Sequence, residues 1–131
     1  MEEAGEASAP TGEPAIRVVA MPADTNANGD IFGGWLVSMM DLAAGTVASQ
    51  HSKGRAATIA IDGMIFHRPV RVGDIVSVYA TLLSVGRTSM KVGVNAWRRS
   101  RDGEEHERVT HATLTFVAIG GDGRPRPINE H

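Results

Sequence analysis

Gly34–Gln50 reads GWLVSMMDLAAGTVASQ, and the fold class turns on this stretch. It carries strong helix formers, no proline and no alternation of apolar with polar residues, which predicts a helix of about four to five turns. Apolar residues fall on nearly every face. Such a helix belongs in the middle of a protein or between subunits, because no side of it suits water. Asp41 is the only formal charge between Asp30 and Lys53.

Beyond the helix the chain reads as strand. Lys53 to Arg55 marks a turn, and Thr58 to Phe66 (TIAIDGMIF) is a strand ended by HRPVRVGD, where Pro69 and Gly73 break the ladder. Ile75 to Val85 and Thr88 to Arg98 are joined at Gly86-Arg87 in a tight hairpin. Met90, Val92, Val94 and Ala96 alternate with Lys91, Gly93, Asn95 and Trp97, the period of a sheet with one buried face. Ser100 to Glu105 turns the chain into a last strand, Arg108 to Ile119. Upstream of the helix, Ala15 to Ala20 (AIRVVA) is a short first strand, followed by a loop, DTNANGD, dense in turn-forming residues. The order predicts an α+β domain, an antiparallel sheet packed on one helix.

The totals bound the answer further. A chain of 131 residues has room for one domain. We expect it over residues 15–120, with an acidic, Ala-, Gly- and Pro-rich N-terminal tail over 1–14 and a C-terminal tail over 121–131. With 42% hydrophobic residues the chain can fill a core, and a formal charge of -2 offers no basic field for nucleic acid or anionic membranes. The absence of cysteine excludes disulfides and thiolate catalysis. The first residues lack the basic start and apolar run of a signal peptide, and no stretch reads as a membrane span, so a cytoplasmic location is expected.

Asp41 is the first candidate for chemistry. An ionised carboxylate in an apolar segment is costly unless hydrogen-bonded, and desolvation makes a carboxylate a stronger base. Its alternative is a place on an exposed stripe or a purely structural acceptor role. Ahead of it, Gly29, Gly33 and Gly34 carry no Cβ, and the first N–H groups of a helix lack internal partners, so a carbonyl oxygen could approach donors there. Helix entry through a flexible turn explains the same glycines. Asn26 and Asn28 suit turns. His106, Glu107 and His111 lack the four-residue spacing of a zinc helix, and His67 reads as a turn residue. Arg55, Arg68, Arg87 and Lys91 sit at turns or a strand end, where solvated cations or phosphate contacts are both in keeping.

Taken together, MPADTNANGDIFGGWLVSMMDLAAG resembles the signature of the YciA-like branch of the hotdog acyl-CoA thioesterases. The likeness continues through VGRTSMKVGVNAW and TLTFVAIGGDGRPRPI, from Ile16 to Ile128. The resemblance implies a hotdog fold, a long central helix wrapped by a curved antiparallel β-sheet, and dimers that join edge to edge and assemble as hexamers. It implies an acyl-CoA thioesterase releasing a carboxylic acid and CoA, with no metal and no cofactor other than the CoA of the substrate. Residue by residue, it makes Asp41 the base or nucleophile, Asn26 a catalytic asparagine facing the partner's aspartate, and the N–H groups of Gly33 and Gly34 the polarising donors. Gly86, Arg87, Thr88 and Ser89 then lie beside the CoA moiety, with Arg87 the first choice for a phosphate. Acyl-chain preference would depend on Met39, Met40, Met64 and Phe66. A hotdog dehydratase would add a histidine to the site, and an acyl-CoA sensor would lose the carboxylate.

Overall fold

The computed structural model describes residue 10 and residues 12–128. Most of the N-terminal tail expected over 1–14 therefore lies outside the described residues. Strand β1 (Ile16–Val19) leads through a short 3-10 turn at Pro22–Asp24 to helix α1 (Gly33–Ser52), followed by β2 (Ala56–Phe66), β3 (Ile75–Val85), β4 (Ser89–Arg99) and β5 (Glu107–Ala118). The expected elements all form, with ends shifted by a residue or two.

The five strands make one antiparallel sheet in the order β1-β3-β4-β5-β2. Their inward residues alternate as the period of two requires. On β4, Met90, Val92, Val94 and Ala96 are buried, and on β5 so are Ala112, Leu114, Phe116 and Ala118. Onto this face α1 lays Leu36, Met40, Ala43, Ala44 and Ala48, spaced three and four apart. The small side chains on the helix let it sit close to the sheet. This is the helix-and-wrap arrangement of the hotdog fold.

The rest of the helix is not enclosed by its own chain. Leu42, on the face turned from the sheet, is 57% exposed. The strand that follows the helix, β2, is an edge strand, with bulges between Thr58 and Ala60 and between Asp62 and Ile65. Ile59, Ile61, Ile65 and Phe66 along it are all exposed. An open apolar edge of this kind is a template for pairing with another chain.

Two details fix the C-terminal end of α1. Lys53 takes a left-handed backbone at φ 63 and returns its N–H to the Ser49 carbonyl, ending the helix without a glycine at that position. Arg126 then donates from Nη2 to the Ser52 carbonyl at 2.9 Å. The segment expected as a C-terminal tail thus packs on the domain through residue 128. Gly123, at φ 82, helps turn the chain back, Ile119 bridges Pro125, and Ile128 is 2% exposed in the core. Burying that side chain contributes about 1.5–3 kcal/mol, reason enough for the segment to return.

Candidate active site

Asp41 lies two turns into α1, half-buried, on the side of the helix facing the β2 edge. Its Oδ1 accepts a short hydrogen bond, 2.5 Å, from the Thr58 hydroxyl on β2. Among the described residues Oδ2 receives no donor. The carboxylate is therefore oriented through one oxygen and open at the other, which is what a base or nucleophile needs. Thr58 was not legible in the sequence as a site residue, because its approach to Asp41 depends on how β2 crosses the helix.

At the entry to α1 the N-cap position is Phe32, whose side chain offers no acceptor, so no side chain caps the first turn. Neither glycine there has a positive φ. A Cβ on Gly34 would meet nothing within 4 Å, and one on Gly33 would meet only the Phe66 ring, at an ordinary 3.7 Å. Neither backbone strain nor packing within the chain demands glycine at these places. What their lack of side chains provides is access to the first N–H groups, at the positive end of the helix dipole.

Asn26 has the turn-forming task that its place in the loop suggested. Its Oδ1 accepts from the N–H groups of Asn28 at 2.9 Å and Asp30 at 3.1 Å, and its own N–H reaches the Asp30 carbonyl at 2.7 Å. The side-chain oxygen is thus committed to holding the loop, and only the amide N–H groups are left for a ligand.

A cleft of about 280 Å³ opens beside this entry, lined by Gly33 together with Ile31, Leu36, Phe66, Val70 and Val109, with Asp30, His67 and Arg68 also in its wall. His67 stacks on His111, ring centroids 5.7 Å apart, and both are exposed. Of the residues expected to set acyl-chain preference, only Phe66 lines the cleft. Met40 is fully buried in the core, and Met39 and Met64 pack against that core from its margin. Core packing claimed these methionines because their positions on the helix and strand face inward.

Gly86, Arg87, Thr88 and Ser89 stand at the other end of the helix. The N–H of Gly86 reaches the Ser89 carbonyl at 2.7 Å, and a Cβ on Gly86 would lie 3.0 Å from the Ser89 hydroxyl, which would have to give way to a larger residue there. Arg87 is exposed, and its guanidinium has no partner among the described residues. Its carbonyl accepts from the Ile128 N–H at 2.9 Å, and that of Thr88 from Ala118 at 2.8 Å, so the backbone beneath it is fixed.

One chain therefore does not gather these residues into one place. Asn26, Gly33 and Gly34 mark the start of the helix, Asp41 its middle and Arg87 to Ser89 its far end. Eight residues of helix at 1.5 Å per residue separate Gly33 from Asp41 by about 12 Å.

Comparison with known proteins accords with this geometry. The family model for the thioesterase superfamily matches residues 28–104. An uncharacterized acyl-CoA thioester hydrolase of Zymomonas mobilis is 55% identical over 128 residues, covering 95% of this chain and 86% of that protein. The acyl-CoA thioester hydrolase YciA of Salmonella typhimurium is 44% identical over 122 residues, covering 91% of this chain and 92% of that one. Among solved structures, the hexameric thioesterase of Yersinia pestis is 43% identical and superposes with a TM-score of 0.87, over 94% of this chain and 100% of that chain. With an uncapped helix entry, an oriented helix carboxylate and relatives of this likeness over nearly its whole length, the chain belongs to the hotdog-fold thioesterase superfamily, in its YciA-like branch.

Proposed function

We propose that the protein is an acyl-CoA thioesterase whose active site is shared between two copies of the chain, with Asp41 of one copy acting on a thioester carbonyl held at the helix entry of the other. The observation that carries this reading is the Asp41 carboxylate, oriented by Thr58 through Oδ1 and open at Oδ2. The reacting carbon must lie about 3 Å from both the attacking group and the oxyanion donors, and about 12 Å of helix separates these within one chain. Two antiparallel helices about a two-fold axis remove the discrepancy. Pairing of the open β2 edges supplies such an axis and covers Ile59, Ile61 and Ile65. The CoA phosphates, a pantetheine arm away from the reacting carbonyl, are assigned to Arg87, whose exposed guanidinium has no partner among the described residues. The Yersinia relative is described as hexameric, and three such dimers account for a hexamer here.

In this reaction water, or the carboxylate itself, attacks the thioester carbon. In the first route Asp41 takes the proton, and in the second an anhydride forms and is then hydrolysed. The negative charge on the carbonyl oxygen is met by the N–H groups of the partner's Gly33 and Gly34. Collapse expels the CoA thiolate, which needs little protonation to leave because a thiol ionises near pH 8.5. No cofactor enters this scheme, since CoA arrives with the substrate and departs as product. The activity is assigned to the cytoplasm, where CoA thioesters are made and used. No helix of the described residues is long and apolar enough to cross a membrane.

Release of free thiol from acetyl-, butyryl- and palmitoyl-CoA tests the proposal. Hydrolysis of at least one, lost in Asp41→Asn, supports it; no hydrolysis, or full activity in the variant, refutes it. Single-turnover hydrolysis in oxygen-18 water separates the two routes, because only direct attack puts label into the Asp41 carboxylate.

A further inference from the structure

The loop between β1 and α1 has two legs, and they are held by different means. On the second leg Ile31 packs against the core. On the first, Ala20 is fully buried, but no residue of Pro22–Asp24 is, and Met21 is 53% exposed. Hydrogen bonds must therefore fix the first leg, and Asp24, half-buried, makes three of those in the loop. Its Oδ2 accepts from the Met21 N–H at 2.9 Å, and its own N–H returns to the Met21 carbonyl at 2.8 Å. Its carbonyl accepts from the Phe32 N–H at 3.0 Å, one residue before the helix starts. Both legs thus meet at Asp24, which stands two residues from Asn26 and one hydrogen bond from the helix entry. We propose that Asp24 is a positioning residue for thioester hydrolysis: by holding the Met21 N–H, its carboxylate fixes where the Asn26 amide donors stand relative to the first N–H groups of α1.

The loop closes on itself in two tiers. The outer tier is the turn from Asn26 to Asp30, closed by Asn26 Oδ1 and by the Asn26 N–H on the Asp30 carbonyl. The inner tier is the bridge between Thr25 and Ile31, followed by the bond from Phe32 to Asp24. The outer tier gives the turn its shape, and the inner tier gives it its place over the helix entry. Without the Asp24 carboxylate the first leg of that inner tier is free to swing at Met21, and the Phe32 side chain, 48% exposed, supplies no packing to restore the spacing. The Asn26 donors and the helix N–H groups serve one reacting carbon, and a displacement of about 1 Å can cost about a hundredfold in rate.

This inference rests on the thioesterase reading, and the experiment separates the two. Free-thiol release is measured for the wild type, Asp24→Ala, Asp24→Asn, Asn26→Asp and the double variant Asp24→Ala/Asn26→Asp, the slow ones by single turnover at high enzyme concentration. Asp24→Ala should lower kcat by about ten- to hundredfold with KM little changed. Asp24→Asn, whose amide oxygen can accept the same N–H, should recover most of that loss. On top of Asn26→Asp, the Asp24→Ala step should cost little more, because the donors it positions are already gone. An equal cost in both backgrounds, full activity in Asp24→Ala, no recovery in Asp24→Asn, or an Asp24→Ala chain that does not fold overturns the positioning role and leaves the thioesterase reading intact; a wild type that hydrolyses no acyl-CoA overturns both. Amide hydrogen exchange reads the same claim without turnover. In Asp24→Ala, exchange should quicken at Met21, Asn26 and Phe32 while β3, β4 and β5 keep their wild-type rates. Quickening throughout the sheet would mark a general loss of stability and contradict the proposal, as would an unchanged rate at Phe32.

Discussion

Asp41 and Thr58 meet across two elements, and their 2.5 Å contact defines what each should do when altered. Asp41→Asn keeps the shape and much of the hydrogen bonding but removes the base, and should lower kcat by about 10²–10⁴-fold with the fold unchanged by circular dichroism. Thr58→Val removes a hydrogen bond to a charged group, about 1.5–3 kcal/mol, so kcat should fall by roughly ten- to hundredfold with little change in KM. Thr58→Ser, which keeps the hydroxyl, should recover most of that loss, and failure to do so would deny the hydroxyl its orienting role. Asn26 allows a finer distinction. Asn26→Asp preserves the acceptor for the Asn28 and Asp30 N–H groups and removes the amide donors, so a folded enzyme with greatly reduced turnover is expected. Wild-type turnover in that variant would reduce Asn26 to a loop-former. Of these residues, Asp41 was legible in the sequence because a lone charge stands out in an apolar run. Thr58 was not, since the crossing of β2 over the helix leaves no mark on local composition.

The helix and the later strands were legible because each carries its own period. β3 spans the expected Ile75–Val85, and the alternation on β4 holds from Met90 to Ala96. The C-terminal return was not, because GGDGRPRPI has no period and its burial depends on one isoleucine fitting a gap that the sheet and helix leave. At the end of α1, Lys53 holds a left-handed conformation that disfavours residues with a Cβ by about 1 kcal/mol. Lys53→Gly should therefore raise stability by up to about 1 kcal/mol in urea titrations, the relief being partly offset by the freedom glycine gains in the unfolded chain. Another brace joins the β2–β3 loop to the sheet. Asp74, 4% exposed, accepts from the Arg71 N–H and from Arg98, which also pairs with Glu107. The hydrogen bond to Asp74 holds the Arg98 guanidinium above its usual value against the opposing effect of burial, and the charge of Asp74 and contacts with Glu107 add to it. Asp74→Ala removes the main partner of that cation, which keeps Glu107, and should cost about 1.5–3 kcal/mol of stability, read from the denaturation midpoint.

At the scale of the molecule, strand order decides the biology. The succession of strands in the sequence predicted an antiparallel sheet without fixing its order, and in the fold β2 crosses to the far side of the sheet and pairs with β5, leaving its other edge open beside the helix that carries Asp41. No local signal distinguishes an edge strand that awaits a partner from one that does not, although exposed isoleucines on it do so once the fold is known. The account requires that Asp41 act with the Asn26 loop and helix entry of a second copy. Mixing Asn26→Ala and Asp41→Ala subunits, unfolding and refolding them together, and measuring CoA release tests this most directly. Half of randomly paired dimers would be mixed and each would hold one intact site, so activity should recover to about one quarter of wild type. Activity that stays at the level of the two parent variants, in a sample shown by mass spectrometry to contain mixed dimers, would contradict the shared site.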